Sequence, residues 1–230
     1  MAGVVLLSGG LDSTVALALF LENNSLELAL TFDYGQKASE QEIKAAGRIA
    51  KHYGLWHEVV ELPFLQEQTL SALVNQEAEL PALTIGELDD AQGKAGLSAQ
   101  SVWVPNRNGL FLNVAAVYAE NLAQPAYVVA GFNREEAATF SDNSSEFMTA
   151  VNQSLHYSTR QNITVVSPTV GLNKDEIVRE GLRLKVPFDC LWSCYTGQEQ
   201  ACGVCESCLR LKRALLHNNQ AELAKSMFRN

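Results

Sequence analysis

Two hydrophobic patterns alternate along the chain. Short apolar runs at residues 4–7, 26–34, 57–62, 126–130 and 163–167 predict five strands. Between them, residues 14–21, 39–53, 109–122 and 145–158 carry helix-compatible patterns, and a further helix is expected from a cap at Asn173 to about residue 184. Ser39, with Glu42 three residues on, reads as a capping box opening the second of these helices. Strands that alternate with helices predict an α/β fold, a doubly wound parallel sheet with helices on both faces. Two stretches break the alternation. Residues 66–101 are long, acidic and glycine-containing, and read as an excursion near the site that is partly helical at its start. Residues 187–208 are rich in cysteine. The expected organisation is an α/β domain over residues 1–186, with a small helical module over 187–230 packed on it.

Composition narrows the classes. A chain of 230 residues suits one large domain or a domain with an appendage. No apolar run approaches the roughly 20 residues that span a bilayer, so no membrane partner is expected. The opening MAGVVLLSGG lacks a basic leader and reads as a first strand, not a signal peptide. Net charge is −9, from 26 acidic and 17 basic residues, which disfavours a nucleic-acid partner. All five cysteines lie between Cys190 and Cys208, a clustering that points to metal in a reducing compartment and to a cytoplasmic protein.

Ser8-Gly9-Gly10-Leu11-Asp12-Ser13 stands between the first strand and its helix. Unpaired amides at a helix N-terminus hold anions, and glycines let backbone approach a phosphate. A tight turn before a capped helix would use the same residues, and both readings stand. The loop is not a Walker motif, because GxxxxGK[ST] is absent. It resembles the pyrophosphatase loop of enzymes that cleave ATP between its α and β phosphates.

Cys202, Cys205 and Cys208 stand at CxxCxxC spacing, with Cys194 upstream. Four thiolates fit a closed tetrahedral zinc site of structural type. An iron–sulfur cluster is the rival, although the Cys-Pro ending of the common bacterial cluster run is absent, since Leu209 follows Cys208. Cys190 is left over and reads as a small buried hydrophobe.

Trp192-Ser193-Cys194-Tyr195 followed by CGVCESCLR resembles the C-terminus of the 7-cyano-7-deazaguanine synthase family. DYGQ from Asp33, VPNRN from Val104, GFNREEAATFSDN from Gly131 and SPTVGLNKDEIVREG from Ser167 agree in order and spacing, so the likeness runs nearly end to end. Where many members of the family read YSGYPDCR, this chain has ATFSDNSS, lacks the basic residue and keeps only Asp142 in clean alignment.

The resemblance implies an adenine nucleotide alpha hydrolase-like fold and an ATP-dependent carbon–nitrogen ligase of queuosine biosynthesis. It implies conversion of 7-carboxy-7-deazaguanine and ammonia into the nitrile, by adenylation of the carboxylate and then of the amide. No GxSxG or glutaminase segment is present, so free ammonia is the expected nitrogen source. ATP, Mg2+ and Zn2+ are the implied cofactors. Ser8, Gly9, Gly10, Leu11, Asp12 and Ser13 would hold the ATP phosphates, with Asp12 placing magnesium, and Asp33 and Tyr34 would lie at the adenine or ribose end. Lys174 would stabilise developing phosphate charge. Arg107 would meet a substrate anion, and Phe132, Asn133 and Asp142 would border the deazapurine. Asp12, Lys174 and Arg107 form the implied catalytic set, and Cys194, Cys202, Cys205 and Cys208 the zinc set. Small-molecule substrates are the implied partners, and a homodimer is left open. The rivals are a tRNA-thiolating ligase with the same loop, and a zinc-ribbon interaction module on a nucleotide-binding fold.

Overall fold

A computed structural model describes residues 2–90, 93–123 and 126–229. Its sheet has five parallel strands: β1 (Ala2–Leu6), β2 (Leu28–Asp33), β3 (Trp56–Glu61), β4 (Ala126–Val129) and β5 (Ile163–Val166). Their order is β3-β2-β1-β4-β5. The helices are α1 (Leu11–Leu21), α2 (Ser39–Tyr53), α3 (Phe64–Glu67), α4 (Lys94–Ser101), α5 (Arg107–Ala119), α6 (Arg134–Ala137), α7 (Ser145–Ser158), α8 (Lys174–Arg183), α9 (Glu206–His217) and α10 (Ala221–Met227). This is the expected doubly wound parallel sheet, with each strand overlapping its predicted run.

β1 lies at the centre, and its side chains are covered on both faces. Val4 and Val5 are each fully buried but belong to different cores, because successive side chains of a strand point to opposite faces. Val5 joins Leu17, Ile49, Ile177 and Leu211 on one face. Val4 joins Leu30, Leu112, Val128 and Leu155 on the other. The first core continues into Cys194, Cys205, Cys208 and Leu215, so the cysteine-rich segment packs into the same apolar interior as α1, α2 and α8.

Two local expectations are corrected. Ser39 does not cap α2. The cap position is Ala38, without a side-chain hydrogen bond, and Ser39 Oγ is buried without a partner. Glu42 instead accepts a hydrogen bond from Gln36 Nε2 at 2.9 Å and the Ser39 N–H donates to the Gln36 carbonyl, so the turn just before α2 displaces the box. The excursion is helical not only near its start, at α3, but also at its end, where α4 forms. The expected cap at Asn173 is present and proves to be a full capping box: Asn173 Oδ1 accepts from the Glu176 N–H, and Glu176 accepts from the Asn173 N–H.

Candidate active site

The strand order reverses between β1 and β4, whose following segments leave in opposite directions, and a crevice opens where they part. The loop of residues 7–10 enters α1 there. Gly9 has φ +79°, and a Cβ on it would stand 2.6 Å from Ala45 Cβ and 3.0 Å from the Glu42 carbonyl. Glycine therefore lets α2 abut the loop. Gly131, just past β4, plays the same part on the other side: its Cβ would lie 2.5 Å from the Ser13 nitrogen. Ser8 Oγ and Ser13 Oγ are 3.2 Å apart, and the first-turn amides of α1 have no acceptor within their own helix.

Lys174 is the first residue of α8, placed by the Asn173 cap. Its side chain is 8% exposed, and Nζ reaches Asp12 Oδ2 at 2.5 Å and Glu136 Oε1 at 3.1 Å. Burial pushes the Asp12 carboxyl up to about 6, although Lys174 pulls against that rise. Burial works to raise the Glu136 carboxyl, but Lys174, with Asn133 and Arg210, holds it below its ordinary value. Burial works to lower the Lys174 ammonium, but the two carboxylates raise it above its ordinary value. Asp12 Oδ1 is buried with no partner, which leaves one carboxylate oxygen free to meet a cation.

The crevice has a volume of about 280 Å³. Ser8, Gly10, Leu11, Asp12, Ser13, Tyr34, Arg107, Phe132, Asp142 and Lys174 all line it. Arg107 opens α5; Nη1 donates to Tyr34 Oη at 3.4 Å, and the guanidinium lies 6.0 Å from the Tyr34 ring centre. Burial works to lower the Arg107 pKa, but Tyr34 and, more weakly, Asp142 raise it. Burial raises both the Tyr34 phenol and the Asp142 carboxyl. The parallel rings of Trp103 and Phe140, 6.0 Å between centres, add apolar wall.

Gly9, Asp33 and Asn133 are not among the lining residues. Asp33 Oδ1 accepts from the Gly35 N–H at 3.0 Å and closes a turn. Asn133 is fully buried and caps α6, accepting from the Glu136 N–H at 2.9 Å, so it orients a lining residue. Sequence reasoning missed Glu42, Glu136, Trp192, Tyr195, Glu206 and Arg210, which also line the crevice. All but Glu42 stand inside the family segments quoted above, which was their one sequence signal; Glu42 had none, because a polar residue in an amphipathic helix looks the same whether it meets solvent or a crevice.

Cys194, Cys202, Cys205 and Cys208 bring their Sγ atoms within 4.8 Å of one another. Tetrahedral ligands at the ~2.3 Å zinc–sulfur distance would be about 3.8 Å apart. Backbone N–H groups already serve the sulfurs: Thr196 and Cys202 donate to Cys194 Sγ, and Cys205 donates to Cys202 Sγ. Four such thiolates suit a metal ion with no open position. Cys190 stands outside this set, partly buried against the neighbouring core.

The family model described as "Queuosine biosynthesis protein QueC" matches residues 2–219. A 7-cyano-7-deazaguanine synthase of Pelotomaculum thermopropionicum is 56% identical over 218 residues, covering 93% of this chain and 96% of the relative. One from Carboxydothermus hydrogenoformans is 54% identical, covering 92% of this chain and 96% of the relative. Among solved structures, an NMN synthetase of Francisella tularensis aligns with a TM-score of 0.46 at 19% identity, covering 96% of this chain and 86% of that one.

Proposed function

The chain belongs to the QueC family of queuosine biosynthesis proteins, and on that premise we propose that it converts 7-carboxy-7-deazaguanine, ammonia and ATP into 7-cyano-7-deazaguanine. The near-full-length match to the family carries this reading. The crevice supplies a physical account of it.

A carboxylate is a poor electrophile, because its leaving group would be oxide. Attack of its oxygen on the α-phosphate of ATP replaces oxide with AMP. In this reading the amides of α1, with Ser8, Gly10 and Ser13, grip the departing pyrophosphate at the positive end of a helix dipole. Lys174 stabilises charge that develops on the phosphates, in a site shielded from water where such charge is worth most. Asp12 suits magnesium, since Oδ1 lacks a partner and Mg2+ takes only one or two carboxylates. That ion would neutralise phosphate charge when bound. Arg107 holds the carboxylate of the deazapurine, and Phe132 and Asp142 border its ring. Tyr34 closes the adenine or ribose end, at a turn shaped by Asp33. Zinc is the metal proposed for the four cysteines, as a structural site.

Ammonia then forms the amide, and a second ATP activates the amide oxygen so that dehydration yields the nitrile. Incubation with ATP, magnesium, ammonium and the carboxylate should give AMP and pyrophosphate. The amide should appear transiently and, when supplied instead, should be converted with one ATP. ADP and phosphate as primary products would overturn adenylation. An amide that accumulates without reacting further would place the chain among simple amide ligases.

A further inference from the structure

We propose that Glu42 is the catalytic residue that takes the proton from ammonium in the amide-forming step, an assignment that rests on the function proposed above. Ammonia is mostly ammonium at neutral pH and has no lone pair to attack with until a proton is removed. The crevice must therefore hold a base that its own cations have not already claimed.

The lining carboxylates divide on this point. Asp12 and Glu136 are paired with Lys174, and Glu206 is paired with Arg210 at 2.9 Å. Among the described residues, Glu42 and Asp142 line the crevice without an ion pair to Lys or Arg. Glu42 is the better held. Gln36 Nε2 donates to its Oε2 at 2.9 Å, and Gln36 is itself fixed by the Phe32 carbonyl and the Tyr34 N–H. One carboxylate oxygen is thus anchored on a 15-residue helix that the close approach at Gly9 presses against the phosphate loop. Asp142 sits in a short turn, with Asn143 donating to it at 3.2 Å. Burial also raises the Glu42 carboxyl above the usual range, against the pull of Gln36 and Arg107, which makes it a stronger base.

Glu42 and Arg107 line the same crevice, so a carboxylate held by Arg107 would share it with this base. The step balances as follows. An ammonium N–H bond breaks, its proton goes to Glu42, and its electron pair attacks the acyl carbon. The bond from carbon to the phosphate-bearing oxygen breaks, and AMP leaves with that pair. Glu42 passes the first proton to water, takes the second proton from the now cationic nitrogen to leave the neutral amide, and passes that one to water in turn. The later dehydration makes no such demand, because there the amide oxygen is the nucleophile and the protons depart from an activated, strongly acidic nitrogen.

The test separates the two halves in the full-length protein. With ammonium chloride, Glu42→Gln should slow formation of the amide from the carboxylate by on the order of 100-fold. It should convert supplied amide to nitrile within about threefold of wild type. Hydroxylamine, largely unprotonated at neutral pH, should restore the first half by forming the hydroxamate. Glu42→Asp, which keeps the charge but withdraws it, should fall between. Equal losses in both halves, or a loss that hydroxylamine does not relieve, would overturn the proposal. So would an ammonium-specific defect in Asp142→Asn with Glu42→Gln unaffected. If wild type forms no amide at all, the parent reading falls and takes this one with it.

Discussion

Lys174 shows how a single side chain depends on its surroundings. Alone, a buried ammonium would be driven to deprotonate; between Asp12 and Glu136 it is held charged. Asp12 is buried beside it, and that burial raises its carboxyl from 3.8 to about 6 against the pull of Lys174. A carboxyl raised on folding favours the fold most below its unfolded pKa of 3.8, and that advantage is lost as pH rises through about 6. Asp12→Asn cannot ionise, so it should gain on wild type in denaturant stability between about pH 4 and pH 7. Its fold should survive at neutrality, because Lys174 keeps Glu136 as a partner. Turnover with ATP and magnesium should fall by roughly 100-fold or more, the scale for removing a charge-stabilising group from an active site. An Asn variant that unfolds while its residual native molecules stay active would show Asp12 to be only a structural group.

Among the elements, α9 links the metal-ligating segment to the crevice. Its N-cap is Cys205 and its first turn carries Cys208, while Glu206 and Arg210 on the same helix line the crevice. Arg210 also reaches Glu135 and the Leu88 carbonyl, and Glu206 accepts from Ser98 Oγ at 2.6 Å, so α9 fastens the excursion. The Trp192 N–H donates to the Gly9 carbonyl at 2.9 Å, tying the segment before the cysteines to the phosphate loop. Structural zinc is worth roughly 10–16 kcal/mol in small peptide sites, and here the metal would hold this junction closed. Elemental analysis of anaerobically purified protein should find one zinc per chain and little iron; a brown, iron-bearing protein would refute the assignment. Cys208→Ser should lose metal, stability and ATP turnover together. Cys190→Ser should keep its zinc, because Cys190 stands outside the four-sulfur set.

For the whole molecule, the deciding feature is the reversal of strand order beside β1. It brings the end of β4 against the start of α1, and Gly131 is where they meet, so close that a Cβ there would lie 2.6 Å from Ser13 Cα. Backbone on both sides leaves nothing flexible to yield. Gly131→Ala should displace the phosphate loop and weaken ATP binding at least about tenfold, or ~1.4 kcal/mol, by titration calorimetry. Unchanged affinity would show that the seam between β4 and the loop does not set the phosphate site.

Much of this molecule was written locally. The five apolar runs, the Asn173 cap and the CxxCxxC spacing each express a short-range rule, and the structure realises each of them. The family segments likewise picked out Asp12, Arg107, Asp142 and Lys174, which the fold gathers in one crevice. Other features escaped those rules. Ser39 and Glu42 satisfy the pattern of a capping box, yet Gln36, held by the turn that leaves β2, claims Glu42 from six residues away. Asp33 ends β2 and Asn133 follows β4, as expected, but their side chains serve a neighbouring turn and helix. Glu136, Glu206 and Arg210 came to the crevice only through helix packing. Apolar burial has a period that shows in sequence, whereas the meeting of polar side chains from distant helices depends on how the layers close.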